Sequence, residues 1–148
     1  DLADGSLRRR DIGLRIRASR DAADPSCEIT LTVKGPAEHG PLKSREEAEV
    51  RIADGAKADL ALRLLGYAPT LRYQKWRESF SLCGCRVELD TLPHLGTYVE
   101  IEGPDVSAVQ ALQERLGLGG IPHEPKSYVL LLAEHCKESG DDPLRVDL

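Results

Sequence analysis

Charged residues occupy every second position in several short stretches of the chain. These stretches are residues 14–17, 45–51, 75–77, 86–90 and 99–102. Because side chains alternate between the two faces of a β-strand, each stretch predicts a strand with one charged face and one mostly apolar face. An ordinary sheet with its polar face in water alternates in the same way, so a solvated, salt-bridged surface remains an alternative.

Turn residues between these stretches predict a mainly antiparallel α+β fold. Strands are predicted at residues 12–19, 27–34, 45–52, 71–81, 85–91 and 97–102, with a hairpin turn near Cys83-Gly84. Helices are predicted at residues 56–65, from Asp105 to about residue 116, and at residues 125–137. Residues 1–11 are expected to be turn-like, and residues 139–148 to form a frayed polar tail.

Composition favours a single globular domain over residues 1–138, followed by the tail at residues 139–148. The chain has 148 residues, of which 41% are hydrophobic and 30% charged. A net charge of −5 gives no overall basic field for nucleic acid or an anionic membrane. Without an apolar run near the roughly 20 residues that span a bilayer, we expect a cytoplasmic protein. Its four cysteines are then expected to be free thiols.

The charged faces contain residue types that suit a metal-bound polyphosphate. The pattern E-x-E occurs twice, at Glu47/Glu49 and Glu100/Glu102, and like charges on one strand face call for a counter-ion. Such oxygen ligands suit Mg²⁺ or Mn²⁺, and arginine binds phosphate oxygens bidentately. Zinc is disfavoured, because the four histidines show no ligand spacing with another His or Cys. Trp76 and Phe80 fall on the opposite strand face and are expected in the core.

An ordered set of motifs resembles the CYTH superfamily, the triphosphate tunnel metalloenzymes. The motifs are Ile12-Gly-Leu-Arg-Ile-Arg17, Leu31-Thr-Val-Lys-Gly-Pro36, Arg45-Glu-Glu-Ala-Glu49, Leu64-Leu-Gly-Tyr67, Lys75-Trp-Arg77, Val87-Glu-Leu-Asp90, Gly96-Thr-Tyr-Val-Glu-Ile-Glu102 and Lys126-Ser-Tyr128. The resemblance implies a closed or nearly closed β-barrel, a tunnel lined by the charged faces, with helices packed outside against the apolar faces.

The resemblance also implies a set of site residues. Triphosphate would be bound by Arg15, Arg17, Lys34, Arg45, Lys75, Arg77 and Lys126. The metal, Mg²⁺ or Mn²⁺, would be held by Glu47, Glu49, Asp90, Glu100 and Glu102. Lys34 matches the lysine linked in hydrolytic members to positioning the attacking water, so it is the predicted catalytic residue.

One departure from the family concerns its hallmark, an N-terminal E-x-E-x-K strand, which this sequence lacks. The chain begins with Asp1 and contains no methionine, so we expect further residues upstream in the native protein.

Two functions follow from the resemblance, and a third belongs to another class. The first is metal-dependent hydrolysis of inorganic, thiamine or nucleoside triphosphate, favoured because no adenine pocket is recognisable. The second is an adenylyl cyclase that converts ATP to cyclic AMP and pyrophosphate. The third is a non-catalytic polyphosphate-binding module. A lipocalin-like barrel is disfavoured, because the charged side chains would then lie outside. The expected partner is a small molecule containing a triphosphate, and a homodimer remains open.

Overall fold

The computed structural model describes residues 1–22, 24, 26–37 and 44–148. This part of the chain divides into two compact units, Asp1–Pro69 and Thr70–Leu148. The first unit contains α1 (Ser6–Arg9), β1 (Gly13–Arg20), β2 (Cys27–Lys34), β3 (Glu47–Arg51) and α2 (Gly55–Leu64). The second contains β4 (Trp76–Leu82), β5 (Cys85–Leu92), β6 (Gly96–Glu102), α3 (Val106–Arg115) and α4 (Tyr128–Ser139).

In the first unit, the three strands form an antiparallel sheet in the order β1-β2-β3. Residues paired across the strands share a face. The rows on the charged face are Gly13–Lys34–Glu47, Arg15–Thr32–Glu49 and Arg17–Thr30–Arg51. The predicted alternation is therefore confirmed here, and we call this surface the β1–β3 charged face.

The helices of the first unit show one expected and one unexpected feature. Helix α2 begins where Asp54 caps it, its carboxylate accepting a hydrogen bond from Lys57 N at 3.0 Å. Leu60 and Leu64 of α2 are 56% and 81% exposed, so neither is a core residue in the described part of the chain. The single turn α1 was not predicted. The Asp1 carboxylate accepts hydrogen bonds from Leu7 N and Arg8 N at 3.0 and 3.1 Å, which satisfies two backbone amides at the start of α1.

In the second unit, the strands form an antiparallel sheet in the order β4-β5-β6. Cys83 and Gly84, both with positive φ, make the predicted two-residue turn between β4 and β5. The rows on the charged face are Arg77–Asp90–Tyr98, Ser79–Glu88–Glu100 and Ser81–Arg86–Glu102. We call this surface the β4–β6 charged face.

Helices cover both faces of this second sheet. On the apolar face, Leu112 of α3 packs with Cys85 and Val87 of β5. On the other face, Leu132 and Cys136 of α4 pack with Leu92 at the end of β5, and Tyr98 packs against this cluster. Leu92 follows Asp90 at a spacing of two, so it lies on the charged face. The expectation that helices pack only against the apolar faces is therefore wrong for α4.

Two predicted environments differ from those observed in the second unit. Trp76 and Phe80 lie on the face opposite Arg77, as predicted, but they are 56% and 49% exposed rather than in the core. The C-terminal residues are not frayed. Val146 is 2% exposed, forms a parallel bridge with Tyr73, and donates its backbone N–H to Arg72 O at 3.2 Å.

The described strands form two open three-stranded sheets, and none of the described sheets closes into a barrel. The antiparallel α+β class is confirmed, whereas the closed barrel is not seen in this part of the chain. The single domain over residues 1–138 stays a prediction. Among the described residues, no helix has both the length and the apolar character needed to cross a bilayer.

Candidate functional site

The β1–β3 charged face pairs each carboxylate with a neighbouring cation. Lys34 Nζ lies 2.5 Å from Glu47 Oε1. Glu49 Oε2 accepts a hydrogen bond from Thr32 Oγ1 at 2.6 Å and lies 3.6 Å from Arg15 Nη2. The four charged side chains are between 30% and 47% exposed, so solvent and small solutes can reach them, whereas Thr32 is buried.

These contacts answer the question raised by the first E-x-E pair. The repulsion between Glu47 and Glu49 is offset within the sheet, because Lys34 neutralises one and Arg15 the other. The hydrogen bond from Thr32, helped by nearby arginine charges, holds the pKa of Glu49 below its ordinary value. The repulsion by itself therefore does not require a metal ion.

The other two predicted arginines of this unit are placed differently. Arg17 extends from the same face, and within the described residues it makes no hydrogen bond or ion pair, only a longer-range attraction to Glu49. Arg45 lies before β3, where its Nη2 is 3.5 Å from Asp11 Oδ2. Arg45 therefore pairs with Asp11, two positions before β1, rather than with Glu47 or Glu49.

On the β4–β6 charged face, Arg77 is the centre of a larger ionic cluster. Its Nε donates to Asp90 Oδ1 at 2.6 Å, and its Nη2 donates to Glu100 Oε2 at 2.6 Å. It also forms an ion pair with Glu88. Lys75 Nζ donates to Asp90 Oδ2 at 2.7 Å. The structure thus brings together four predicted site residues: Lys75, Arg77, Asp90 and Glu100.

Two carboxylates of this cluster are fully buried. Asp90 is 0% exposed and Glu88 is 1% exposed. Burial opposes the charge of Asp90, but the hydrogen bonds from Arg77 and Lys75 outweigh it and hold the pKa of Asp90 below its ordinary value. Burial lowers the pKa of Lys75, and the adjacent Arg77 charge adds to that effect. Asp90 is therefore ionised and fully engaged by two cations.

Glu88 belongs to this site although it was not among the predicted metal ligands. It pairs with Arg77 and lies 3.0 Å, Oε1 to Nε, from Arg86. Both of its buried oxygens nevertheless lack a hydrogen bond of acceptable geometry. The signal was available in the sequence, because Glu88 and Asp90 occupy alternate positions of one strand and must share a face.

Tyr128 was also not predicted as a site residue. It is the first residue of α4, and its ring lies 5.3 Å from Lys75 Nζ and edge-on to Tyr98. Its buried hydroxyl lies near Glu100 and Asp90 but makes no hydrogen bond of good geometry with a described residue. Burial and these carboxylates raise the pKa of Tyr128 far above its ordinary value. No strand pattern points to it, since only the packing of α4 places it here.

Two further predicted residues are not part of this cluster. Glu102 lies on the same face, opposite Arg86 in register, but it is exposed and makes no hydrogen bond or ion pair with another described residue. Lys126 precedes α4, and its Nζ lies 2.7 Å from Glu134 Oε2 on the exposed surface of that helix. Lys126 makes no contact with Asp90 or Glu100 in the described chain.

The donor chemistry fits a divalent cation that binds through one or two carboxylates and completes its shell with phosphate oxygens and water. Glu88 and Glu100 retain unused oxygen lone pairs, and Mg²⁺ commonly binds in this way. Asp90 fits less well, because Lys75 and Arg77 already engage both of its oxygens. The cluster does not fit a metal held by protein carboxylates alone, since Arg77 lies between them.

The CYTH domain model matches residues 1–128. A curated protein named "Putative adenylate cyclase MJ0240", from Methanocaldococcus jannaschii, is 31% identical over 99 residues, which are 67% of this chain and 53% of that protein. This chain therefore spans about half the length of that relative.

Solved structures show the same fold. The PH1819 protein of Pyrococcus horikoshii OT3 superimposes with a TM-score of 0.75 at 33% identity, over 87% of this chain and 77% of that one. A "putative adenylate cyclase" from Vibrio parahaemolyticus gives a TM-score of 0.66 at 23% identity, over 90% and 76% of the two chains. This last likeness concerns the fold alone. The chain belongs to the CYTH domain family.

Proposed function

We propose that this domain hydrolyses a triphosphate with the help of a divalent metal ion, Mg²⁺ or Mn²⁺. The observation that carries the proposal is the buried cluster in which Arg77 joins Glu88, Asp90 and Glu100, with Lys75 beside it. Burying so many charges is costly, and a hydrophobic replacement would often be at least as stable. A role in binding a charged ligand explains why such a cluster is present.

The ion pairs within the cluster are compatible with ligand binding. The cationic side chains can exchange carboxylate oxygens for phosphate oxygens, and the carboxylates can exchange the cationic side chains for a metal ion. A metal–triphosphate complex offers phosphate oxygens to Lys75 and Arg77 and a cation to Glu88 and Glu100. Arginine suits the phosphate role because its planar fork binds two oxygens at once.

The β1–β3 charged face would also contribute cationic side chains to the binding of the triphosphate. Arg15 and Arg17 would bind phosphate oxygens, and Lys34, held by Glu47, would orient the attacking water. Bound metal would withdraw charge from the phosphate oxygens. A closed barrel whose interior carries the charged faces is part of this proposal and rests on the family resemblance. Arg45, Lys126 and Glu102 would join the site only after a change of partner or position.

Adenylyl cyclase activity is the second candidate, and the name of the M. jannaschii relative favours it. The two reactions differ in which phosphorus faces the nucleophile. In hydrolysis, water attacks a phosphoryl group and phosphate or pyrophosphate leaves. In cyclisation, the ribose 3′-hydroxyl attacks the α-phosphorus of ATP, and pyrophosphate leaves with the proton from that hydroxyl.

The test is to incubate the chain with tripolyphosphate, thiamine triphosphate and ATP, each with Mg²⁺, with Mn²⁺ and with EDTA. Hydrolysis predicts metal-dependent release of phosphate without cyclic AMP. Cyclic AMP and pyrophosphate in equal amounts would establish the cyclase instead. Tight binding of tripolyphosphate that survives EDTA, with no turnover of any substrate, would establish the non-catalytic module and overturn both enzymatic functions.

A further inference from the structure

Three potential metal ligands, two histidines and an aspartate, meet at a second place in the Thr70–Leu148 unit, among residues that the proposed function does not use. His94, His135 and Asp141 each offer a ligand atom, and these atoms all lie within 4.8 Å of one another. The imidazole rings of His94 and His135 stack with centroids 4.7 Å apart and planes 15° apart. His135 Nε2 lies 3.5 Å from Asp141 Oδ2. In the part of the chain that the structure describes, no other trio of His, Cys, Asp or Glu is this close.

Three separate backbone features create this juxtaposition. His94 is the middle residue of the turn between β5 and β6, where Leu95 N donates to Pro93 O at 2.7 Å and His94 adopts a φ of 61°. His135 lies in the last turns of α4. Gly140 ends that helix with a φ of 82°, which reverses the chain and returns Asp141 to His135.

We propose that His94, His135 and Asp141 form a binding site for a transition-metal ion such as Zn²⁺, with water completing the coordination. Two imidazoles and one carboxylate are a known ligand set for Zn²⁺ and are poorly suited to Mg²⁺. Ligands of a tetrahedral Zn²⁺ lie about 3.4 Å apart, given bonds of about 2.0–2.1 Å. The ligand atoms of His135 and Asp141 already have about that separation. Rotation of the exposed His94 side chain would bring its ring nitrogen to a similar distance from both.

The site would join the β5–β6 turn to the C-terminal end of α4. That helix packs on the β4–β6 charged face through Leu132 and Cys136 and carries Tyr128 at its other end. Bound metal would therefore stabilise the packing of α4 against the sheet. This inference concerns folding and metal affinity, so it stands or falls separately from triphosphate hydrolysis.

In the experiment, the metal-free chain is titrated with Zn²⁺ in the presence of excess Mg²⁺. Zn²⁺ binding is measured by calorimetry and by its effect on thermal unfolding. We expect a single Zn²⁺ per chain and a higher Tm, because a ligand that binds only the folded state stabilises it. A parallel titration with Co²⁺ should give a visible absorption band that depends on the two imidazoles. Acidification should weaken binding, since protons compete with the metal for the histidines.

Variants decide whether these residues are the ligands. Asparagine is chosen at position 94 because it tolerates the positive φ. We expect each of three variants to lower Zn²⁺ affinity by about tenfold or more: His94→Asn, His135→Gln and Asp141→Asn. The matched control is His123→Asn, because His123 pairs with Gln113 away from this cluster and should leave Zn²⁺ affinity unchanged. Circular dichroism confirms that each variant is folded. Absence of Zn²⁺ binding, or equal binding by wild type and His94→Asn, would overturn the proposal.

Discussion

Arg77 and Glu100 form an ion pair across an intervening strand, with Arg77 Nη2 2.6 Å from Glu100 Oε2. Arg77 lies on β4 and Glu100 on β6, and the two strands are separated by β5. The guanidinium therefore passes over β5 and contacts Glu88 and Asp90 as well. One side chain thus contacts three carboxylates, two of which are buried.

Replacing Arg77 by Gln should destabilise the chain severely. Without the guanidinium, Glu88 and Asp90 would be buried with too little positive charge nearby, which typically costs about 3–5 kcal/mol. Urea unfolding measures the change in the free energy of unfolding. Arg77→Lys keeps the charge but loses the bidentate contacts, so we expect it to lie between Arg77→Gln and wild type.

The matched control for this prediction is Arg86→Gln. Arg86 contacts the same Glu88, but its side chain is 61% exposed and Glu88 keeps its ion pair with Arg77, so we expect a smaller loss of stability. Equal losses for Arg77→Gln and Arg86→Gln would show that the buried cluster does not depend on Arg77.

The charged faces could be predicted from the sequence because strand alternation is a local property. Arg15 and Lys34, or Arg77 and Asp90, lie on common faces once the strands are placed in register, and turn residues such as Cys83-Gly84 define that register. The resemblance to the CYTH family added the identity of the expected ligand. The bounds of β2, Cys27–Lys34, match the prediction completely.

Contacts between distant segments could not be predicted in this way. The position of Tyr128 depends on how α4 packs, and the pairing of Arg45 with Asp11 depends on where β1 begins. Alternation also predicts which face a residue occupies but not whether that face is covered. Trp76 was therefore assigned to the correct face and to the wrong environment.

The contribution of Asp90 to stability should disappear in acid. The pKa of Asp90 is lowered in the folded state, whereas the pKa of an aspartate in the unfolded chain is about 3.9. A lowered pKa stabilises the fold above the unfolded value, and that contribution is lost as the pH falls through the folded value. The stability difference between wild type and Asp90→Asn should therefore be large at pH 7 and shrink below about pH 4.

Denaturant unfolding at several pH values checks this prediction about Asp90. Asp59→Asn is the control, because Asp59 forms an exposed pair with Arg63 on α2 and should differ little from wild type at any pH. A difference for Asp90→Asn that stays constant down to pH 3 would contradict the assigned role of its charge.

Lys34→Ala should reduce turnover of the preferred triphosphate by about 10²-fold or more, as expected for a residue that orients a nucleophile. Its Nζ lies on the β1–β3 charged face in a partly exposed ion pair, so we expect little loss of stability. The control Lys57→Ala removes an 85% exposed lysine of α2 and should leave turnover unchanged. Equal rates for both variants would reject Lys34 as a catalytic residue.

Glu100→Gln should raise the metal concentration required for activity, because it removes a carboxylate charge with unused lone pairs beside Arg77. Glu78→Gln is the control, since Glu78 lies on the opposite face of the same sheet. Metal titrations of activity that coincide for Glu100→Gln and Glu78→Gln would place the metal elsewhere.

Val146→Asp should unfold the second unit or destabilise it by several kcal/mol, although the residue lies only two positions from the end of the chain. Val146 is 2% exposed within the cluster that includes Leu92 and Leu132, and an aspartate there would be a buried charge without a partner. Leu148→Asp is the control, since Leu148 is 58% exposed and should tolerate the change. Similar unfolding midpoints for the two variants in urea would show that the C-terminal residues are frayed in solution. A large difference would show that β4 and α4 depend on this segment for their packing.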